Sequence, residues 1–188
     1  MNMRGVERKK HTGFSALELI GGISLLAIVM AFTVVTMDGA RPGIQANGAM
    51  NQVVAQLRTA RELAIAERCS YQVRFTAPGR IQLRRLRAPS GFTDLPYVSL
   101  GDAAQFTLFA GLPDTPEGFG NSEPISFRKT TTLTFLSNGR VVDSHGAPLN
   151  GTVFLGIPGR PETARAVTIA GATGHINAYY WTGSGWEE

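Results

Sequence analysis

The chain has 188 residues, 18 Lys and Arg against 14 Asp and Glu, and a single cysteine, Cys69. That length allows one ordinary domain plus an anchor, and one cysteine excludes an intrachain disulfide and a cysteine-rich metal site. The formal charge of +4 is unevenly placed: Arg4, Arg8, Lys9 and Lys10 against Glu7 put +3 in the first thirteen residues, leaving 14 basic and 13 acidic groups in residues 14–188.

The first element is the apolar run 14–35, FSALELIGGISLLAIVMAFTVV, which follows Gly13. Its 22 residues match the roughly 20 that a membrane-spanning helix needs. The basic leader places the N-terminus on the cytoplasmic side and the remainder outside the inner membrane. Glu18 is the one charge in the run. Such a group costs about 2.5–3.5 kcal/mol at a bilayer centre on insertion scales, so an intramembrane acid points to function.

Three readings compete for this run. A cleaved secretory signal peptide has an apolar core of about 7–15 residues followed by a small-x-small site, whereas Val29-x-Ala31 lies inside the run. An uncleaved signal-anchor fits length and charge but leaves Glu18 unexplained. The third reading is carried by K-K-H-T-G-F-S-A-L-E-L-I, which resembles the processing site of type IV pilins and type II secretion pseudopilins.

That resemblance implies that a prepilin peptidase cuts after Gly13 and methylates Phe14 as the new N-terminus. It also implies that Glu18 is the assembly acid, meeting the terminal amine of its own or a neighbouring subunit. A physical reason accompanies the offset. Glu18 stands four residues from Phe14, about one helical turn, and in a low-dielectric bundle each charge needs a partner.

After Val35 the sequence TMDGARPG signals a break, since Gly39, Pro42 and Gly43 all disfavour a helix interior. An amphipathic helix is expected over 44–68, with Met50, Val53, Val54, Leu57, Ala60 or Arg61, and Ala64 on one face. From Ser70 the period becomes two. Tyr71, Val73 and Phe75 alternate with polar residues, Ala77-Pro78-Gly79 turns the chain, and residues 80–84 complete a hairpin. Residues 88–124 hold five prolines and read as a long irregular region with one strand at 105–110. Further strands are expected at 131–136, 152–157, 164–169 and 175–181, separated by Ser-Asn-Gly, Pro-Gly and Ala-Thr-Gly turns.

The expected architecture is α+β: a long N-terminal helix, membrane-spanning in its first half, packed on a mostly antiparallel sheet. The domain reading is a leader 1–13, a transmembrane or filament-core helix 14–37, a kink and amphipathic helix 38–68, and a periplasmic β-rich domain 69–188. The order R-T-A-R-E-L-A-I-A-E-R, strand, F-L-S-N-G-R, then A-R-A-V-T-I-A-G-A-T-G-H-I resembles the pseudopilin H and FimT-like minor pilin group. This implies a non-enzymatic minor pseudopilin that assembles into, or primes, a type II secretion filament. The alternative is a FimT-like minor pilin of a type IV pilus system that binds DNA in competence. Partners would be other pilins or pseudopilins, the prepilin peptidase and the bacterial inner membrane.

Other chemistry is thinly represented. Arg80, Arg84, Arg85 and Arg87 form the densest basic cluster and a candidate phosphate surface, weighed against a solvated strand face on a near-neutral domain. Tyr71 and Phe75 are stacking platforms or core. Some FimT-like pilins bind DNA through a G-R-x-R motif; here the stretch reads Gly174-His175-Ile176-Asn177, without either arginine, and nucleic acid is not an expected partner. Asp143-Ser144-His145 holds triad residue types in contiguous positions, which do not converge as a triad requires. His11, His145 and His175 have no metal-ligand spacing. No glycine stretch matches a phosphate loop. No cofactor is expected. Cys69 reads as a small packed group, Tyr179 and Trp181 as core, and Trp186 as either core or an interaction surface.

Overall fold

The computed structural model describes residues 15–87, 90–101, 103–143 and 145–188, and among these the side chains outside 32–38. Gly13 and Phe14, with the leader, lie outside the described residues. The chain divides into two compact units, Met1–Ala40 and Arg41–Glu188.

Among the described residues there is one helix, α1, which runs Ala16–Ala66 and contains Pro42. The break expected near Gly39 therefore does not end the helix. A proline removes one backbone donor and crowds the preceding turn. In the first unit, Ser15 caps the helix. Its Oγ accepts from Leu17 N at 3.2 Å, and Glu18 Oε2 accepts from Ser15 N at 3.1 Å. S-A-L-E is thus a capping box, in which residue N3 reaches back to the cap's own N–H.

Leu17, Leu19, Ile20, Ile23, Leu25, Leu26, Ile28 and Met30 are all exposed along this part of α1. Among the described residues no helix is long and apolar enough to cross a membrane.

In the second unit α1 buries Ala46, Ala49, Val53, Val54, Leu57, Ala60 and Ala64, a stripe at the 3.6-residue period. Twelve strands follow among the described residues: β1 Tyr71–Thr76, β2 Arg80–Leu86, β3 Phe92–Asp94, β4 Val98–Ser99, β5 Gln105–Phe106, β6 Ile125–Ser126, β7 Thr132–Phe135, β8 Val141–Val142, β9 Gly151–Ile157, β10 Arg160–Ala170, β11 His175–Trp181 and β12 Trp186–Glu187. One sheet has the order β3-β2-β1-β7-β8, with β4 also on β2; the other has β12-β11-β10-β9-β5, with β6 also on β9. The strand pairs are antiparallel.

One core joins the helix stripe to both sheets: Val73, Phe75, Ile81 and Leu83 from the first, Val153, Leu155, Val167 and Ile169 from the second, with Phe127 and Leu149 beside them. Phe75 stacks on Phe127 at 5.7 Å between centroids and meets Phe106 edge-on. The expected hairpin and the strand 175–181 form as read. The strand expected at 105–110 shortens to Gln105–Phe106, because a turn from Leu112 N to Phe109 O follows. Phe109 instead lies against Gly156, where a Cβ would overlap its ring.

Candidate functional site

The three sequence blocks that set the C-terminal resemblance meet at one place. Arg61, in R-T-A-R-E-L on α1, donates from Nε to Gly139 O at 3.4 Å and from Nη2 to Thr173 O at 3.5 Å. Gly139 belongs to S-N-G-R between β7 and β8, and Thr173 to A-T-G-H between β10 and β11. Gly139 and Gly174 have φ of +78° and +66°, which glycine adopts without steric cost. A Cβ on Gly174 would overlap Gly139 O, and one on Gly139 would press on Ile65 and Arg61. Two turns from different sheets thus close on each other under one guanidinium. Beside this junction is a cleft of about 440 Å³ lined by Arg58, Arg61, Glu62, Thr173, Gly174, His175 and Ile176. The sequence offered Arg61 only as an alternative to Ala60 on the buried face.

Glu18 carries a partner already. Its carboxylate accepts from Ser15 N, as described above, so the acid that looked isolated in sequence closes its own helix end. The N-terminus of a helix favours negative charge.

The basic cluster does not form one surface. Arg84 makes a two-point ion pair with Asp94, at 2.6 and 3.1 Å, and lies 3.6 Å over the Phe92 ring. The hydrogen bond holds Arg84 above, and Asp94 below, its usual pKa. Arg80 covers the Tyr97 ring at 5.1 Å. Arg85 pairs with Glu67 at 2.9 Å and donates to Cys69 Sγ at 3.4 Å, while Arg87 is exposed beyond the end of β2. Strand alternation sends Arg84 and Arg85 to opposite faces.

Tyr71 and Phe75 are buried in the core and offer no stacking platform. The Tyr71 hydroxyl donates to Glu67 at 2.9 Å; burial, then that bond, pushes its pKa up to about 12. Cys69 packs half-buried against the core. Asp143 accepts from the backbone N–H of His145 and Ala147 and so organises a turn; these bonds hold its carboxyl below the usual range. Ser144 lies outside the described residues. Among the described residues no group of three His, Cys, Asp or Glu could hold a metal.

Two polar groups were not marked as site residues in the sequence, half-buried Glu117 and buried Arg165. Glu117, in the proline-rich region, accepts through Oε1 from Tyr179 Oη at 2.7 Å, Asn177 Nδ2 at 2.8 Å and Thr168 Oγ1 at 2.9 Å. Burial pushes its pKa up, but the three bonds outweigh it and hold the carboxyl below its usual value. Tyr179 is pushed up to about 12 by burial and by Glu117. Trp186 Nε1 also donates to Pro113 O at 2.9 Å, and its ring packs on Phe154 and Trp181. The 107–124 region is therefore laced to the second sheet. Arg165 is buried, donates to Asn47 Oδ1 at 2.7 Å and Ala164 O at 2.8 Å, and has its pKa lowered by burial. Asn47 lies on α1, so this bond ties helix to sheet.

The chain is similar in structure to the minor pseudopilin EpsH from the type 2 secretion system of Vibrio cholerae, with a TM-score of 0.50 and 17% identity, covering 72% of this chain and 97% of that one. The type IV minor pilin FimU of Pseudomonas aeruginosa aligns with a TM-score of 0.49 and 16% identity, covering 76% of this chain and 97% of that one. No family model matches the chain, and no curated protein matches it in sequence. At such identity the EpsH likeness establishes the fold: α+β and type IV pilin-like, an N-terminal helix with antiparallel sheets.

Proposed function

We propose that this chain is a non-enzymatic minor pseudopilin that assembles into, or primes, the filament of a type II secretion system. Residues 14–37 anchor the precursor in the inner membrane and then enter the filament core, residues 38–68 lead into the periplasm, and residues 69–188 form the periplasmic domain. Gly13 is the peptidase recognition residue, Phe14 the methylated terminus and Glu18 the assembly acid. The observation that carries this reading is a pilin-like domain continuing, in sequence, from a helix whose apolar side chains are exposed. Such a surface needs lipid or neighbouring helices to cover it.

The capping box sharpens the role of Glu18. In the single chain it satisfies Ser15 N, so pairing with an amine on a neighbouring subunit either adds to that bond or replaces it. Gly13→Ala is expected to leave an unprocessed, larger species on a blot, and Glu18→Ala to be processed but fail to enter filaments. Normal-size product from the first variant would remove the peptidase assignment, and N-terminal sequencing of the extracted protein reads Phe14 directly.

A type IV pilus role is the second reading. Its DNA-binding form is less supported, since Arg84 and Arg85 are engaged with Asp94 and Glu67. A gel shift that weakens steeply with salt, and is lost on Arg84→Ala and Arg87→Ala, would restore it.

A further inference from the structure

The cleft beside Arg61 holds more cationic donors than its packing uses. Arg58 is exposed three residues before Arg61, on the same side of α1, and has no hydrogen bond or ion pair among the described residues. Arg61 holds its two carbonyls at 3.4 and 3.5 Å, longer than the roughly 2.7–2.9 Å of a guanidinium on an ionised acceptor. His175 lines the opposite lip. The Gly174 turn lines the cleft floor, and its contact with Gly139 leaves no room for a Cβ. A rigid floor lowers the ordering cost of binding.

We propose that this cleft takes a carboxylate side chain of a neighbouring filament subunit, held by Arg58 and Arg61 with His175 opposite. The inference rests on the filament reading and names the surface and the partner chemistry within it. Planar guanidinium forks match a carboxylate in two-point geometry. Glu62, the one acid lining the cleft, repels a multiply charged run of phosphates more strongly than a single carboxylate, because the repulsion grows with the charge brought in. Residues 14–188 are close to neutral, so no long-range positive field gathers a polyanion.

The test is calorimetry on the full chain in detergent micelles, titrated with the capped tetrapeptide acetyl-Ala-Asp-Glu-Ala-amide. Inorganic phosphate and a thymidine oligonucleotide are titrated separately. Saturable peptide binding is expected, weakened about tenfold or more by Arg58→Glu and less by His175→Ala, with the melting temperature of both variants unchanged. The proposal is overturned by absent peptide binding, by equal binding in Arg58→Glu, or by phosphate or oligonucleotide binding more tightly than the peptide. Neither peptidase nor filament enters this assay, so its failure is separate from failure of Gly13 processing.

Discussion

On the first unit Leu17 is 81% exposed and Ile20, Ile23 and Leu26 are each more than half exposed, whereas in the second unit Leu57, Phe127 and Phe135 have no exposed surface. The two units carry side chains of the same kind and dispose of them differently. Residues 41–188 bury theirs within the chain, between one helix stripe and two sheets. Residues 15–31 present theirs outward, and the Glu18 carboxylate closes the helix end. A self-contained core contributes to folding stability; an outward apolar helix contributes to association. Mutations in the two units should therefore report on different measurements.

The largest effect is expected from Phe127→Ala. Emptying that fully buried ring site should cost about 3–5 kcal/mol in denaturant unfolding followed by tryptophan fluorescence. Leu26→Ala should leave that transition unmoved and weaken retention in membranes or filaments. A shifted unfolding midpoint for Leu26→Ala would break the division between the units.

Gly174→Ala comes next. It forces a side chain into positive φ and against Gly139 O, for a loss of about 2–4 kcal/mol. A near-neutral outcome would mean that the two turns do not lock. Glu117→Ala should cost about 1–3 kcal/mol by stranding its three donors, and should let the Tyr179 hydroxyl titrate below its value of about 12. An unchanged Tyr179 titration would remove the clasp.

Alkaline pH tests the buried phenols. Tyr71 and Tyr179 are raised from 10.0 to about 12 in the folded chain, so their contribution is full below pH 10 and is lost as pH rises to about 12. Tyr71→Phe should flatten that decline. Glu117 has the opposite sign: its carboxyl is depressed, so its contribution is present at neutral pH and lost on acidification. The smallest effect is expected from Arg84→Ala, whose solvent-facing pair with Asp94 should leave the unfolding midpoint unchanged.

Much of the scaffold was legible from periodicity. Val53, Leu57, Ala60 and Ala64 sit at helical spacing and are buried; Tyr71, Val73 and Phe75 alternate and are buried. These patterns are local, and a helix or strand with one apolar face has one side to bury. The short strands β3, β4, β6, β8 and β12 span only two or three residues each, too few to show any period. They exist because a longer neighbour supplies their hydrogen bonds.

The pairing within the basic cluster was not legible for a related reason. Arg84 and Arg85 are adjacent in sequence and opposite on the strand, and their acids, Asp94 and Glu67, come from different elements.

The sequence by itself determined the apolar run after Gly13, the offset of Glu18, the amphipathic stripe and the long strands, since each depends on neighbours within a few residues. Only the tertiary structure decided that Arg61, Gly139 and Gly174 meet, that Glu117 clasps Tyr179, and that Arg165 reaches Asn47. Those contacts join positions dozens of residues apart. Their partners are chosen by the packing of two sheets against one helix, a choice that no local period records.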